Sequence, residues 1–171
     1  MTTLATTLDA EALYQQLLNQ IKKHVATNSQ PLAIVGIYSG GAWIAERLVR
    51  DLGVGANAGQ IDVSFYRDDY AAKGLHAEVK PTHIPFAVDG AHILLVDDVL
   101  YTGRTTRAAI NELFDYGRPA RIMLAALVDR GGRELPIAAD FVAHVAPFEP
   151  AISINLQRAE DGTLSFSIDH A

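Results

Sequence analysis

The 171-residue sequence contains no cysteine, which excludes a disulfide framework and any thiolate metal site. It has no apolar run near the roughly 18 residues that a membrane span requires. Its opening stretch, "MTTLATTLDAEALYQQ", lacks the basic segment followed by an apolar one that marks a secretory signal. Positive charge is in the minority, with 14 Lys and Arg against 20 Asp and Glu and a net charge of −6. That balance gives no global electrostatic reason to expect nucleic acid or an anionic membrane as partner, although a local basic face would not register in such a sum. Two common phosphate-loop signatures, G-x-G-x-x-G and G-x-x-x-x-G-K-[ST], are also missing. The six histidines, His76, His83 and His144 among them, show no ligand spacing, so no metal site built by the protein is expected. These absences describe a cytoplasmic protein with no membrane partner.

What is present alternates between helix and strand patterns. With 49% hydrophobic residues the chain can bury a real core, and residues 1–171 are expected to form one domain. Asp9 is placed to cap a helix whose apolar positions Leu13, Leu17, Ile21 and Val25 share a face, with "TNSQP" at 27–31 ending it. "LAIVGIY" at 32–38 has strand length, and a second helix follows "SGG", aligning Ile44, Leu48 and Leu52 before Gly53. Trp43 most simply packs on that helix. "QIDVSFY" at 60–66 alternates as a half-buried strand. Residues 67–87 are polar, contain two prolines and have no period, which in a compact domain suggests a functional loop or lid. "HILLV" at 92–96 and "RIMLAALV" at 121–128 read as buried strands, with a helix at 105–117 between them. "AISINL" and "LSFSI" form a terminal hairpin around "RAEDG". The expected class is α/β with a mostly parallel central sheet flanked by helices.

The informative stretch is "LLVDDVLYTGRT" at 94–105, where a core strand ends on Asp97 and Asp98. Open parallel sheets bind ligands beyond the carboxyl ends of their strands, which is where these carboxylates would be delivered. "YTGRT" leads directly into a helix N-terminus, whose N–H groups and dipole suit a phosphate, with the Thr102 and Thr105 hydroxyls as further donors. Carboxylates beside a phosphate cradle match a ribose 5-phosphate unit. The simpler alternative is that Asp97 caps the helix, Asp98 faces solvent and "TGRT" is a plain turn. Likewise Arg67 and Arg130 could be surface charges, and Gly40 and Gly41 a turn before a helix.

"ILLVDDVLYTGRT" at 93–105 resembles the phosphoribosyl pyrophosphate (PRPP) motif of type I phosphoribosyltransferases. With "IDVSFYRDD" at 61–69, "DYGRPARI" at 115–122 and "LVDRGGRELPIAADFV" at 127–142, the similarity narrows to the PyrR family of pyrimidine operon regulators and uracil phosphoribosyltransferases. This implies the type I phosphoribosyltransferase fold, with a long mobile loop and a small C-terminal β hood. It implies PRPP contacts along Asp97, Asp98, Val99, Leu100, Tyr101, Thr102, Gly103, Arg104 and Thr105: carboxylates on the ribose 2- and 3-hydroxyls, and backbone from Tyr101 to Thr105 on the 5-phosphate. Pyrophosphate would lie against Ser39, Gly40 and Gly41, where glycine lets backbone approach an anion. Mg2+ would be held mainly by PRPP, pyrophosphate and water. The loop around Arg67, Asp68 and Asp69 would close and exclude water, giving Arg67 a catalytic part beside Asp97 and Asp98. Uracil would bind near Val128, Asp129 and Arg130 and displace pyrophosphate, giving UMP. The family also implies a homodimer or higher homo-oligomer.

The sequence departs from that family pattern twice. Ser39-Gly40-Gly41 stands where Thr-Arg-Gly is common, which removes a guanidinium from the pyrophosphate loop unless Arg67, Arg104 or a lysine of the mobile loop compensates. The first helix is poor in arginine, and Gly132 and Ala138 stand where RNA-binding members carry histidine and arginine. Lys22, Lys23 and Arg133 remain, too scattered for a phosphate-contacting face, so RNA is a possible but disfavoured partner. Three functions follow: an active uracil phosphoribosyltransferase, a nucleotide-responsive RNA-binding attenuator, or a nucleotide sensor on a decayed enzyme scaffold. The intact PRPP motif favours the first.

Overall fold

The computed structural model describes residues 8–54, 58–63 and 82–170. Arg67, Asp68, Asp69 and His76, and with them most of the expected lid, lie outside these residues. The elements in chain order are α1 (Ala10–Thr27), β1 (Leu32–Ile37), α2 (Gly40–Leu52), β2 (Gly59–Ile61), β3 (His92–Leu100), α3 (Arg104–Asp115), β4 (Arg121–Asp129), β5 (Phe141–Val145), β6 (Ile152–Arg158) and β7 (Leu164–His170). The central sheet has five strands in the order β2-β1-β3-β4-β5, each pair parallel, and β6-β7 form a separate antiparallel hairpin.

Period-two burial explains the layers. Along β3, Leu94 and Val96 join a core with Leu17 and Ile21 of α1, Ile44 and Leu48 of α2, and Ile154, Leu156 and Leu164 of the hairpin. Ile93 and Leu95 face the other way, onto Ala109 and Leu113 of α3. Full burial of each Leu or Ile in these layers stabilises the fold by roughly 1.5–3 kcal/mol before entropy is counted. The caps follow the expected chemistry. The Asp9 carboxylate accepts from the Ala12 N–H at 3.1 Å, and Gly53, at φ 65°, ends α2 by donating to the Val49 carbonyl.

The hairpin is fixed over the first core layer by a polar brace. The Glu11 carboxylate accepts from both terminal nitrogens of Arg47, at 3.3 and 3.0 Å, and from the Leu164 N–H at 2.7 Å. The Arg158 guanidinium lies over the ring of Trp43, 4.9 Å from its centre.

Three boundaries differ from the sequence reading. The strand expected at 92–96 continues to Leu100, because β4 keeps pairing with it beyond Val96 whereas the β1 ladder ends at Gly36↔Val96. The helix expected at 105–117 is shorter at its end, closing at Asp115. Phe141–Val145 is a strand that the sequence reading did not assign. The strand is short, at five residues, and lacks a clear apolar/polar alternation. As the edge of the sheet it is protected by Gln20 of α1, whose amide donates to the Val142 carbonyl at 2.9 Å while its oxygen accepts from the Val142 N–H at 3.2 Å.

Candidate active site

The two-sided fate of β3 creates the site. Past Val96 the strand has lost β1 but keeps β4, so Asp97 and Asp98 sit in paired, rigid backbone while one flank is open. Each carboxylate is oriented locally: Asp97 Oδ1 accepts from the Asp98 N–H, and Asp98 Oδ1 from the Val99 N–H, both at 2.9 Å. Asp97 is 7% exposed. The N-cap of α3 is Gly103 at φ 93°, and the side chain that meets the helix's first N–H, that of Arg104, is the Thr102 hydroxyl at 3.2 Å rather than Asp97. The positive φ of Gly103 favours glycine, and a β-carbon there would also crowd the Ile137 side chain at 3.0 Å.

A cleft of about 260 Å³ opens at this point. It is lined by the strand-to-helix segment Asp97 to Gly103 with Thr105 and Thr106, by Arg130 after β4, and by the hood from Pro150 to Asn155. The cleft therefore brings together Asp97, Asp98, Val99, Leu100, Tyr101, Thr102, Gly103, Thr105 and Arg130 of the expected site residues. Arg104 turns away and pairs on the surface with Glu134 at 2.9 Å. Val128 is fully buried in the core, and Asp129 holds Arg133 at 2.6 Å. Ser39, Gly40 and Gly41 are not among the cleft-lining residues, and the two glycines pack on β3. A β-carbon at Gly40 would come within 2.4 Å of Asp98 Oδ2, and one at Gly41 within 2.2 Å of the Val96 carbonyl oxygen. The Tyr38–Ser39 peptide bond is cis.

Two polar atoms of cleft-lining residues, Thr106 Oγ1 and Arg130 Nε, are buried without a hydrogen-bond partner among the described residues. Such atoms are rare in folded interiors and are expected where a ligand supplies the partner. Arg130 is otherwise well held: it donates to the Glu149 carbonyl at 3.0 Å and stacks 4.1 Å over the Tyr101 ring. Sequence reasoning missed the hood wall, Ile152 to Asn155, and Thr106. Nothing in a terminal hairpin's alternation says what it folds over.

A geometry of paired carboxylates, glycine loop and helix N-terminus at the edge of a parallel sheet agrees with the comparisons. The phosphoribosyl transferase domain model matches residues 3–150. The Bifunctional protein PyrR of Ralstonia nicotianae is 54% identical over 156 residues, covering 91% of this chain and 89% of that one. The chain belongs to the PyrR family of phosphoribosyl transferase domains. A second PyrR relative, from Nitrosococcus oceani, is 46% identical over 166 residues, covering 95% of this chain and 93% of that protein. Among solved structures, a hypoxanthine phosphoribosyltransferase from Staphylococcus aureus superposes with a TM-score of 0.64 at 23% identity, covering 87% of this chain and 80% of its own. One from Trypanosoma cruzi gives 0.58 at 20%, covering 81% and 78%. These likenesses establish the type I phosphoribosyltransferase fold of this PyrR-family chain, with its parallel sheet and its small antiparallel hood.

Proposed function

We propose that this PyrR-family chain is a uracil phosphoribosyltransferase, acting in the cytoplasm as one domain over residues 1–171. It would transfer the phosphoribosyl group of PRPP to uracil and release UMP and pyrophosphate. The observation that carries the reading is the cleft itself, which puts Asp97 and Asp98 beside the N-terminus of α3 and the Thr106 hydroxyl, buried with no partner among the described residues. The carboxylates would take the ribose 2- and 3-hydroxyls, and the Tyr101–Thr105 backbone the 5-phosphate. Arg130, at the base of the cleft with Val128 and Asp129 behind it, supports a uracil subsite facing the hood. Behind Asp98, Ser39, Gly40 and Gly41 would border the pyrophosphate, with Arg67 closing over the reaction.

Mg2+ fits this arrangement as a partner of the substrate. The ion would be held mainly by oxygens of PRPP, pyrophosphate and water, with Asp97 and Asp98 the carboxylates that line the cleft beside it. Bound there, the ion would neutralise charge on the departing pyrophosphate.

The relatives' name, bifunctional, speaks for a second role in those proteins. RNA remains the disfavoured partner here, since the Arg133 guanidinium is engaged inside the protein. A homodimer or higher homo-oligomer is supported by the exposed Phe114, Tyr116 and Val145. The deciding experiment measures UMP formation from uracil and PRPP with Mg2+, with hypoxanthine and orotate as competing bases. Turnover of uracil alone is expected, and no UMP at saturating substrates would end this reading.

A further inference from the structure

We infer that Arg133 is a positioning residue for the phosphate loop, setting which way the Tyr101–Thr102 peptide faces, and this rests on the phosphoribosyl reading of the cleft above. Arg133 lies outside the cleft lining, on the far side of the loop, and only 24% of its side chain is exposed. Its planar fork reaches three separate acceptors. Nε donates to the Ile137 carbonyl at 2.8 Å, one terminal nitrogen to Asp129 Oδ2 at 2.6 Å, and the other to the Tyr101 carbonyl. Asp129 is itself fixed by accepting from the Gly131 N–H at 3.0 Å. The guanidinium is therefore held on two sides before it touches the loop.

The third contact has a directional consequence. A trans peptide is planar, with its C=O and N–H pointing opposite ways. Holding the Tyr101 oxygen toward Arg133 turns the Thr102 N–H away from it. The next peptide is held the same way by backbone, since the Thr102 carbonyl accepts from Glu134 and Leu135 at 2.9 and 3.1 Å. Two consecutive N–H groups thus point away from the 133–137 segment, on the side where Tyr101, Thr102 and Gly103 line the cleft. Arg133 supplies the one link in this set made by a side chain. Without it the first peptide loses the side-chain donor that fixes its carbonyl, and a carbonyl oxygen turned into the cleft would repel a phosphate. Gly132 belongs to the same device: at φ 73°, it lets the Tyr101 ring pack where a β-carbon would come within 2.4 Å.

The test compares UMP with uridine, which shares base and ribose but lacks the phosphate, by titration into wild-type protein, Arg133→Met and Arg133→Lys. Wild type is expected to bind UMP more tightly than uridine. Arg133→Met should lower UMP affinity roughly tenfold, the scale of one lost charge-assisted hydrogen bond, and leave uridine unchanged. General damage to the fold would weaken both ligands together. Lysine keeps the charge but cannot reach three acceptors in one plane, so Arg133→Lys should lose part of the UMP preference, and it carries the test if Arg133→Met does not melt cooperatively. A UMP preference kept at its wild-type value in the folded variants overturns the positioning role alone. Wild-type protein that does not distinguish UMP from uridine overturns the phosphoribosyl reading and the inference with it.

Discussion

The molecule makes the same local structure twice at one edge of its sheet, after β1 and after β3, and uses the two copies differently. Both are strand, short loop and helix start, and in neither does the N-cap residue's own side chain cap the helix. After β1 the junction is shut: Gly40, Gly41 and Ala42 open α2 fully buried, with β3 occupying the space in front of them. After β3 the junction is open: α3 begins with an exposed Arg104, and Thr105 and Thr106 look into the cleft. The difference lies in what flanks each strand. β1 is enclosed by β2 and β3, whereas β3 outruns β1 and leaves room beside its last residues. The two helix starts thus meet different surroundings, one packed against a strand and the other facing the cleft.

The strongest way to break the contrast is to add one methyl group to the shut junction. Gly41→Ala would place a carbon 2.2 Å from the Val96 oxygen and 3.1 Å from the Asp97 α-carbon, both backbone atoms in a paired strand that cannot yield. A loss of about 3 kcal/mol or more in unfolding free energy is expected by urea denaturation, at the upper end of overpacking costs. A wild-type midpoint for this variant would show that α2 is not packed on β3 as described.

At the open junction the same kind of probe should spare the fold and remove the ligand. Asp97→Asn and Asp98→Asn each keep an oxygen able to accept the local N–H, so folding should persist. Each lost charge-assisted bond should weaken PRPP binding by roughly 1.5–3 kcal/mol, about tenfold or more. Calorimetric titration with PRPP and Mg2+ reads this directly, and unchanged affinity in both variants would remove the ribose assignment.

Gly40→Ala links the two junctions. Its added carbon meets the Asp98 side chain, 2.4 Å from Oδ2, 2.7 Å from Cγ and 3.0 Å from Cβ, so the carboxylate must swing away from its place. We expect a stability cost of about 1 kcal/mol, the low end of overpacking, together with a several-fold loss of PRPP affinity as Asp98 is displaced. If denaturation and titration show the reverse balance, Gly40 and Gly41 do not differ as their neighbours imply.

How much of this was legible in the sequence depends on the range of the interaction. The local rules located Asp9, Gly53, the apolar faces of α1 and α2, and the carboxylates and glycine loop at 97–105, because caps, periodicity and turn residues act within a few positions. The end of β3 was misplaced since polarity rises at Asp97 while pairing with β4 continues, and pairing partners are not written in the strand itself. β5 was missed for a similar reason: its edge is satisfied by Gln20, 122 positions away. For Gly40 and Gly41, read as room for an anion, the close packing of their β-carbon positions on β3 was not legible, because that contact depends on register. Arg133 read as a scattered surface cation because its three acceptors come from three segments.

The smallest expected effect concerns what holds α2 against β3 from its other end. The Tyr14 hydroxyl donates to Asp51 at 2.6 Å, tying α1 to the last turn of α2, and Arg47 stacks 4.6 Å over the same ring. Tyr14→Phe removes only the hydroxyl. Because the Asp51 side chain is 29% exposed, water can replace it, so the cost should be about 0.5–1 kcal/mol rather than the larger figure for a buried charged partner. The pH dependence has a definite sign. The Tyr14 hydrogen bond, ahead of Arg50, holds the Asp51 carboxyl below its ordinary range, and burial first, then the Asp51 bond, pushes the Tyr14 phenol well above its own. A depressed carboxyl stabilises the fold above its unfolded value and loses that contribution as pH falls through the folded one. A raised phenol contributes below its unfolded value and loses that contribution as pH rises toward the folded one. The difference between wild type and Tyr14→Phe should therefore be flat around neutrality, shrink in acid and shrink again in strong alkali. Urea midpoints across that range measure it. A difference that grows in acid would mean that packing of the ring, not the hydroxyl on Asp51, joins the two helices, and that the shut junction is held at its glycine end alone.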